Sequence, residues 1–363
     1  MVSMMKLLDM FQKLCNNRMT VSPHNIYIHV PFCVKKCNYC AFYSKVCGAP
    51  DWLDYKNQIL SEINFWVGKI GRAAVPTIFF GGGTPSLMPT KIFAEIMNAI
   101  RSAFDVAPDT EITIEANPGT IDTQRLQEFI AAGVNRISIG VQSLNDEELK
   151  FLGRIHNATD ARKFIADAQN AGIRVSADFI YGLPDQTVAD VKKLCQQINE
   201  LGLEHCSMYE LSIESGTALA KQNLKMPDNE TMAQMYEAVG ETLNLQRYEV
   251  SNYGTPCQHN ANVWDGQPYL GLGDGAAGRV FINNQWYETK YDSIGVLREA
   301  PLQNRERALE VLLTGLRTTQ GVKLTPEIKE ITNWNSAELT IKDNRLVAKN
   351  FLLLDNLIVR LLK

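Results

Sequence analysis

The feature that most limits the fold of this chain is a sixfold alternation of short apolar, β-branched runs with longer stretches of helical period. The runs cover residues 26–30, 77–80, 111–115, 136–141, 175–180 and 206–211. Between them, residues 53–70, 91–104, 123–132, 158–171 and 187–201 repeat apolar positions at helical spacing. Gly133, Gly172 and Gly202 each stand shortly before a strand, where a helix C-terminus favours glycine. Nearly continuous apolar strands joined by crossover helices predict a parallel sheet covered by helices. Each run is followed by unusual chemistry: a cysteine cluster after the first, Gly81-Gly82-Gly83-Thr84-Pro85 after the second, Glu115-Ala116-Asn117-Pro118 after the third and Gly140-Val141-Gln142-Ser143 after the fourth. The fifth carries Asp178 and ends in Tyr181-Gly182-Leu183-Pro184, and the sixth ends in Tyr209-Glu210-Leu211. Functional residues at the C-terminal end of every strand belong to a barrel with one shared mouth, whereas an open doubly wound sheet gathers them at one switch point. The expected class is therefore α/β, a partial (βα)6 TIM-like barrel.

After about residue 247 the pattern changes. Residues 248–290 are rich in Gly, Asn, Tyr and Trp and read as loops with short strands. Residues 305–318 form a strong helical pattern, and residues 338–363 read as strand, Asp343-Asn344 turn, strand and Leu-rich helix. The expected division is an N-terminal amphipathic tail (1–22), the barrel (23–247) and a smaller C-terminal α+β domain (248–363) of winged-helix-like character. With 36 Lys+Arg against 40 Asp+Glu and no long basic run, nucleic acid is not an expected partner. No stretch reaches the ~18 apolar residues of a membrane span. Lys6 and Asp9 interrupt the tail where a secretory apolar region would sit, so a cytoplasmic chain is expected. Self-association, and peripheral membrane contact through the tail's apolar face, are both compatible with this composition.

Three of the eight cysteines fall within eight residues, as Cys33-Val-Lys-Lys-Cys37-Asn-Tyr-Cys40. Three thiolates on one tight loop can hold an iron–sulfur cluster and leave one iron of a cubane open. A structural zinc with a fourth ligand elsewhere, or three unrelated thiols, are the alternatives on spacing alone. Gly81-Gly82-Gly83 lets backbone approach a ligand, or is simply a tight turn; without GK[ST] or G-x-G-x-x-G it is neither a P-loop nor a dinucleotide fingerprint. Asp178, within an apolar run, must find polar partners if buried.

The local pattern C-x3-C-x2-C, with Pro31-Phe32 before it and Tyr39 inside, resembles the radical S-adenosylmethionine (SAM) enzymes. The segments YIHVPFCVKKCNYCAFYS, FFGGGTPSLM, IEANP, RISIGVQS, DFIYGLP and EVLLTGLRTTQGV resemble the coproporphyrinogen-oxidase-like branch of that family, from about Asn25 to the end. The resemblance implies a [4Fe–4S] cluster on Cys33, Cys37 and Cys40, with SAM on the open iron. One electron from a flavodoxin- or ferredoxin-type donor would then yield methionine and a 5′-deoxyadenosyl radical. By position, Tyr27, Gly82 and Glu115 match residues around the cluster-bound SAM, and Tyr39, Gly83, Thr84, Gln142, Arg154 and Asp178 match those around a second SAM in the oxidases.

Two sub-families compete. Oxygen-independent coproporphyrinogen III oxidases extend the signature by a further Cys two residues on; here that position is Phe42, which matches the HemW-type haem chaperones. In those proteins an H-N-x-x-x-W element is a proposed haem contact, and this chain carries His259, Asn260 and Trp264, with Gln258 and Val263 departing from the usual neighbours. The resemblance thus implies haem binding and transfer to an acceptor protein rather than coproporphyrinogen oxidation. His29 is expected to pack beneath the cysteine loop, and the scattered Cys47, Cys195, Cys206 and Cys257 to be buried thiols.

Overall fold

A computed structural model describes residues 22–292 and 295–361, so segment 1–21, read above as the amphipathic tail, lies outside the described residues. Six parallel strands form the centre of one sheet: β1 (Asn25–Val30), β2 (Ala74–Gly82), β3 (Asp105–Ala116), β4 (Arg136–Gln142), β5 (Arg174–Tyr181) and β6 (His205–Glu210). Consecutive strands are neighbours in the order β1 to β6, each paired parallel to the next. The crossovers carry α1 (Trp52–Ile70), α2 (Thr90–Ala103), α3 (Thr123–Ala131), α4 (Asp146–Leu152), α5 (Ala158–Asn170) and α6 (Val188–Glu200), and α7 (Asn229–Thr242) follows β6. Gly133, Gly172 and Gly202 take φ of 114°, 75° and 61°, the left-handed backbone that ends a helix.

The strands alternate more strictly than their apolar appearance suggested. Ile26, Ile28 and Val30 of β1, Ile78 and Phe80 of β2, Ile112 and Ile114 of β3, and Ile137, Ile139 and Val141 of β4 all join one core with the helices. Against them α1 sets Tyr55, Ile59, Ile63, Trp66 and Ile70, spaced three or four residues apart so that one face is apolar. Each such aliphatic side chain, fully buried, stabilises the fold by about 1.5–3 kcal/mol. The alternate residues are mostly polar: Asn25, Tyr27 and His29; Glu111, Thr113 and Glu115; Arg136 and Ser138; Arg174, Ser176 and Asp178; His205 and Ser207. The barrel therefore has its apolar core outside the sheet and a polar interior.

The sheet also runs past residue 247, where the sequence pattern suggested a second unit. β7 (Arg247–Glu249) and β8 (Asn252–Gly254) extend it antiparallel beyond β6. A short helix, α8 (Gln258–Trp264), then leads to β9 (Tyr269–Leu272), which pairs parallel with β1. β10 (Ala277–Ile282), β11 (Gln285–Tyr291) and β12 (Leu297–Leu302) continue as an antiparallel meander, giving a twelve-stranded sheet among the described residues. A separate core begins only with α9 (Asn304–Gly315), whose Leu312 packs with Leu316, Leu346 and Leu357. That core unites α9 with β13 (Val322–Lys323), α10 (Pro326–Ile331), β14 (Leu339–Lys342), β15 (Arg345–Ala348) and α11 (Leu354–Leu361). Asp343 and Asn344, with φ of 49° and 58°, make the expected tight turn between β14 and β15.

Candidate cofactor site at the barrel mouth

A cavity of about 470 Å³ opens at the C-terminal ends of β1 to β6, within the ~300–1,000 Å³ usual for small-molecule sites. Cys33, Cys37 and Cys40 all lie on its wall, on the loop that leaves β1. That loop is held at both ends. The segments Phe32–Cys33 and Lys45–Val46 pair as a short parallel ladder, and the Asn38 N–H donates to Leu152 O at 3.0 Å while Asn38 Nδ2 donates to Phe151 O at 2.7 Å. Below it, His29 Nε2 lies 2.9 Å from the Tyr43 carbonyl, which can only accept; Nε2 therefore carries the proton and Nδ1 accepts from the Tyr27 hydroxyl at 2.8 Å. His29 thus packs beneath the loop. Burial holds this imidazole below its ordinary pKa and keeps the Tyr27 phenol protonated.

The glycine run is a cradle. Gly82 has φ of 114°, and a Cβ there would lie 2.6 Å from His29 Cε1. A Cβ on Gly83 would lie 2.7 Å from Phe32 O and 3.0 Å from Cys33 Sγ, so only glycine lets β2 pass this close to the cysteine loop. Thr84 Oγ1 lies 3.7 Å from Cys33 Sγ and accepts from Asn117 Nδ2 at 3.2 Å. Opposite, β4 shifts register between Gly140 and Gln142, and Gln142 takes φ of 68°, a strained backbone for a non-glycine residue and one concentrated at functional sites.

Arg154, just beyond α4, reaches back across the cavity floor. It donates through Nη1 to Cys37 Sγ at 3.3 Å and through Nη2 to Gly140 O at 2.6 Å and to Asn117 Oδ1. Its buried Nε has no partner among the described residues. Two carboxylates face the same space. Glu115 accepts from the Gly82 N–H at 3.0 Å, and burial, reinforced by the charge of Asp178, pushes its pKa up to about 8. Asp178 accepts from Ser138 at 3.2 Å, and burial raises its pKa too. Burial also raises the Cys40 thiol, with Cys37 and Cys33 adding to the effect, and keeps the Tyr39 phenol protonated. Tyr27 contacts the underside of the mouth, while Tyr39, Gly82, Gly83, Thr84, Glu115, Gln142, Arg154 and Asp178 line the cavity itself with the three cysteines.

His259, Asn260 and Trp264 do not join them. They lie on α8, at the opposite end of the strands. His259 is 5% exposed, and its Nδ1 sits 2.7 Å from Thr77 Oγ1, whose proton goes to Asn25 Oδ1. Nδ1 therefore carries hydrogen. Its backbone N–H donates to Glu111 Oε1 at 2.9 Å, and burial followed by the Arg136 charge lowers the imidazole pKa to about 3. Asn262 seals the same cluster by donating to Asn25 Oδ1 at 2.9 Å. Sequence reasoning missed Asn38 and Asn117, the two amides that fasten the loop and bridge Arg154 to Thr84; the position of Asn117 at a strand's C-terminal end was the one available signal. Of the remaining cysteines, Cys195, Cys206 and Cys257 are buried, and Cys47 is half-buried.

A family model described as the Radical SAM superfamily matches residues 27–198. The Heme chaperone HemW of Escherichia coli (strain K12) is 40% identical over 71% of this chain and 70% of its own length. The chain belongs to the HemW family of radical SAM proteins. Radical S-adenosyl methionine domain-containing protein 1, mitochondrial, of Bos taurus is 35% identical over 91% of this chain and 82% of its own. The solved structure of E. coli coproporphyrinogen III oxidase (HemN) shares the fold at a TM-score of 0.77 and 20% identity, over 95% of this chain and 91% of that one. As a radical SAM protein the chain takes SAM and a [4Fe–4S] cluster. Its cavity suits them: soft sulfur donors sit on one wall, glycines clear space beside Cys33, and a guanidinium N–H lacks a protein partner. No three His, Cys, Asp or Glu side chains among the described residues converge on a single-ion site. Among the described residues, no helix is long and apolar enough to cross a membrane.

Proposed function

We propose that this protein is a haem chaperone, binding haem and passing it to an acceptor protein, with a SAM-binding [4Fe–4S] cluster on Cys33, Cys37 and Cys40. The observation that carries the reading is the 40% identity to a protein named Heme chaperone HemW, and the cavity that gathers the three cysteines, the glycine run and two carboxylates supports it. Phe42, where the oxidases have a fourth cysteine, supports chaperone over oxidase.

When bound, the cluster and SAM supply one-electron chemistry at a sulfonium carbon. The chain's own groups prepare for this. Arg154 steadies Cys37 and brings positive charge to a thiolate-rich wall. Glu115 and Asp178 present two carboxylates to a cationic ligand, while Gly82 and Gly83 admit it without collision. Tyr27 and His29 fix the loop from below through the Tyr27 hydroxyl, the imidazole and the Tyr43 carbonyl. The Nδ1–H bond to Thr77 leaves the His259 Nε2 lone pair as the one that could meet iron, but the side chain is 5% exposed, so haem reaches it only if α8 moves away from the barrel. An electron carrier of flavodoxin or ferredoxin type and a haem acceptor are the partners this reading requires.

The test uses anaerobically reconstituted protein. A Soret shift on adding haem, with no conversion of coproporphyrinogen to protoporphyrinogen, is expected. Coproporphyrinogen turnover would overturn the chaperone reading in favour of an oxygen-independent oxidase.

A further inference from the structure

The helix that carries His259 is held from two sides by different means. On the barrel side, the Gln258 and His259 N–H groups donate to Glu111 at 3.1 and 2.9 Å, and Asn262 donates to Asn25 at 2.9 Å. Its C-terminal end is gripped by the small C-terminal unit instead. Thr314 of α9 donates to the Trp264 carbonyl at 3.0 Å, and Arg307 of α9 donates to the Gly266 carbonyl at 2.8 Å. Gly266 has φ of 80°, and a Cβ there would lie 2.7 Å from Val311 Cγ2 of α9, so the chain passes close. Asp265 pairs with Arg345 at the start of β15 and with Lys323 of β13, the latter at 3.5 Å. A carboxylate at a helix C-terminus stands at the negative end of the helix dipole, so Asp265 gains nothing from α8 itself. Its partners are the two cations across the joint.

α9 is not free to follow α8. Arg279 of β10 donates to Glu310 of α9 through Nε at 3.0 Å and Nη2 at 2.7 Å, and the Arg307 guanidinium lies 4.4 Å from the centre of the Trp286 ring of β11. The small unit is thereby fixed to the meander, and α8 cannot leave the barrel as a rigid rod without parting from it. We propose that the small unit is a catch on α8, with Asp265, Arg345 and Lys323 as the clasp, and that its opening controls when the shut-in His259 meets haem. The inference rests on the haem-chaperone reading and adds the regulation of that same site. The clasp is built to yield first. Asp265, Arg345 and Lys323 keep 24%, 18% and 64% of their side-chain surface exposed, so water and salt compete for them. The barrel-side partners Asn25, Glu111 and Asn262 are all buried, and salt reaches them far less. The clasp therefore biases α8 towards the closed position by a modest factor, which is what a releasable cover needs.

The experiment mixes haemin with the full chain in a stopped-flow instrument, reading the Soret band, and follows exchange of the α8 amide hydrogens by mass spectrometry. In Asp265→Asn, α8 exchanges faster and haem uptake quickens about threefold or more. Added salt speeds uptake by the unsubstituted protein and has less effect on Asp265→Asn. Thr314→Val, which removes the hydroxyl that holds the Trp264 carbonyl, moves both readings in the same direction. Arg360→Gln, which breaks an ion pair to Glu338 within the small unit, moves neither. Unchanged α8 exchange in both joint variants overturns the catch, and faster exchange with an unchanged haem rate overturns its control of haem. A quickened uptake that persists in His259→Ala/Asp265→Asn overturns His259 as the group uncovered. If the unsubstituted protein shows no Soret shift, the haem reading fails and takes this inference with it; faster α8 exchange in Asp265→Asn then tells that failure from a failed catch.

Discussion

Glu115→Gln separates what this cavity costs the fold from what it does for a ligand. Burial and the neighbouring Asp178 raise the Glu115 carboxyl from 4.5 to about 8. Between those values the folded chain holds a proton that the unfolded chain has released, so stability is full below about 4.5 and is lost as pH rises towards about 8. At ~1.36 kcal/mol per pH unit a dry site would lose about 5 kcal/mol; the open, water-accessible mouth reduces this to about 1–3 kcal/mol. Glutamine keeps an oxygen to accept from the Gly82 N–H and has nothing to ionise. The apoprotein should therefore unfold at higher denaturant as Glu115→Gln than as the unsubstituted chain at about pH 9, by about 1–3 kcal/mol, and alike at about pH 5. Conversely, a cationic ligand such as SAM must drive the proton off, so its affinity for the unsubstituted protein rises with pH through about 8, and that slope vanishes in Glu115→Gln. Equal denaturation midpoints for the two proteins at both pH values would refute the reasoning, because the carboxyl would then be ordinarily solvated.

The remaining predictions concern the loop, the cradle and the far end of the barrel. Ser in place of Cys33, Cys37 or Cys40 should each abolish iron and sulfide uptake and the electron paramagnetic resonance signal of the reduced protein, whereas Cys195→Ser leaves both intact. Gly83→Ala forces a Cβ to within 2.7 Å of Phe32 O and 3.0 Å of Cys33 Sγ; it should cost about 1–3 kcal/mol in denaturant and lower iron uptake in proportion. His259→Ala removes the donor to Thr77 from a buried cluster and should cost about 1–3 kcal/mol of stability with iron uptake unchanged. A Soret shift that survives in the folded variant removes His259 from the haem ligands.

The sixfold pattern was legible because each strand and helix is a local statement: apolar positions at period two or near 3.6, ended by Gly133, Gly172 or Gly202. The cysteine loop and the glycine run were legible for the same reason, since their spacing is their chemistry. The meander β9–β12 was not. Residues such as Gln285, Glu288 and Lys290 dilute its apolar signal, and Tyr269 meets Asn25 across most of the chain, a pairing no local window contains. Asn38 and Asn117 act through a pair of hydrogen bonds each, to residues distant in sequence, which leave no periodic trace. His259 was recognisable as part of a motif, but its depth depends on Thr77 and Glu111 from strands far away in sequence.

Those two ends of the barrel explain each other. A (βα) barrel ordinarily fills its interior with branched aliphatics, whereas here polar and charged side chains line the inside and the apolar core lies between sheet and helices. Buried charges persist only if compensated. At the closed end they are: Glu111 pairs with Arg174 at 3.0 Å and accepts from the backbone of Gln258 and His259, so α8 completes the floor. At the open end, Glu115 and Asp178 receive only hydrogen bonds, and among the described residues neither makes an ion pair; Arg136, 3% exposed, acts on them from a distance. The same polar interior is thus finished by protein at one end and left for a cation at the other. That difference in compensation, more than any single side chain, marks the mouth as the ligand site and gives His259 the work of closing the floor.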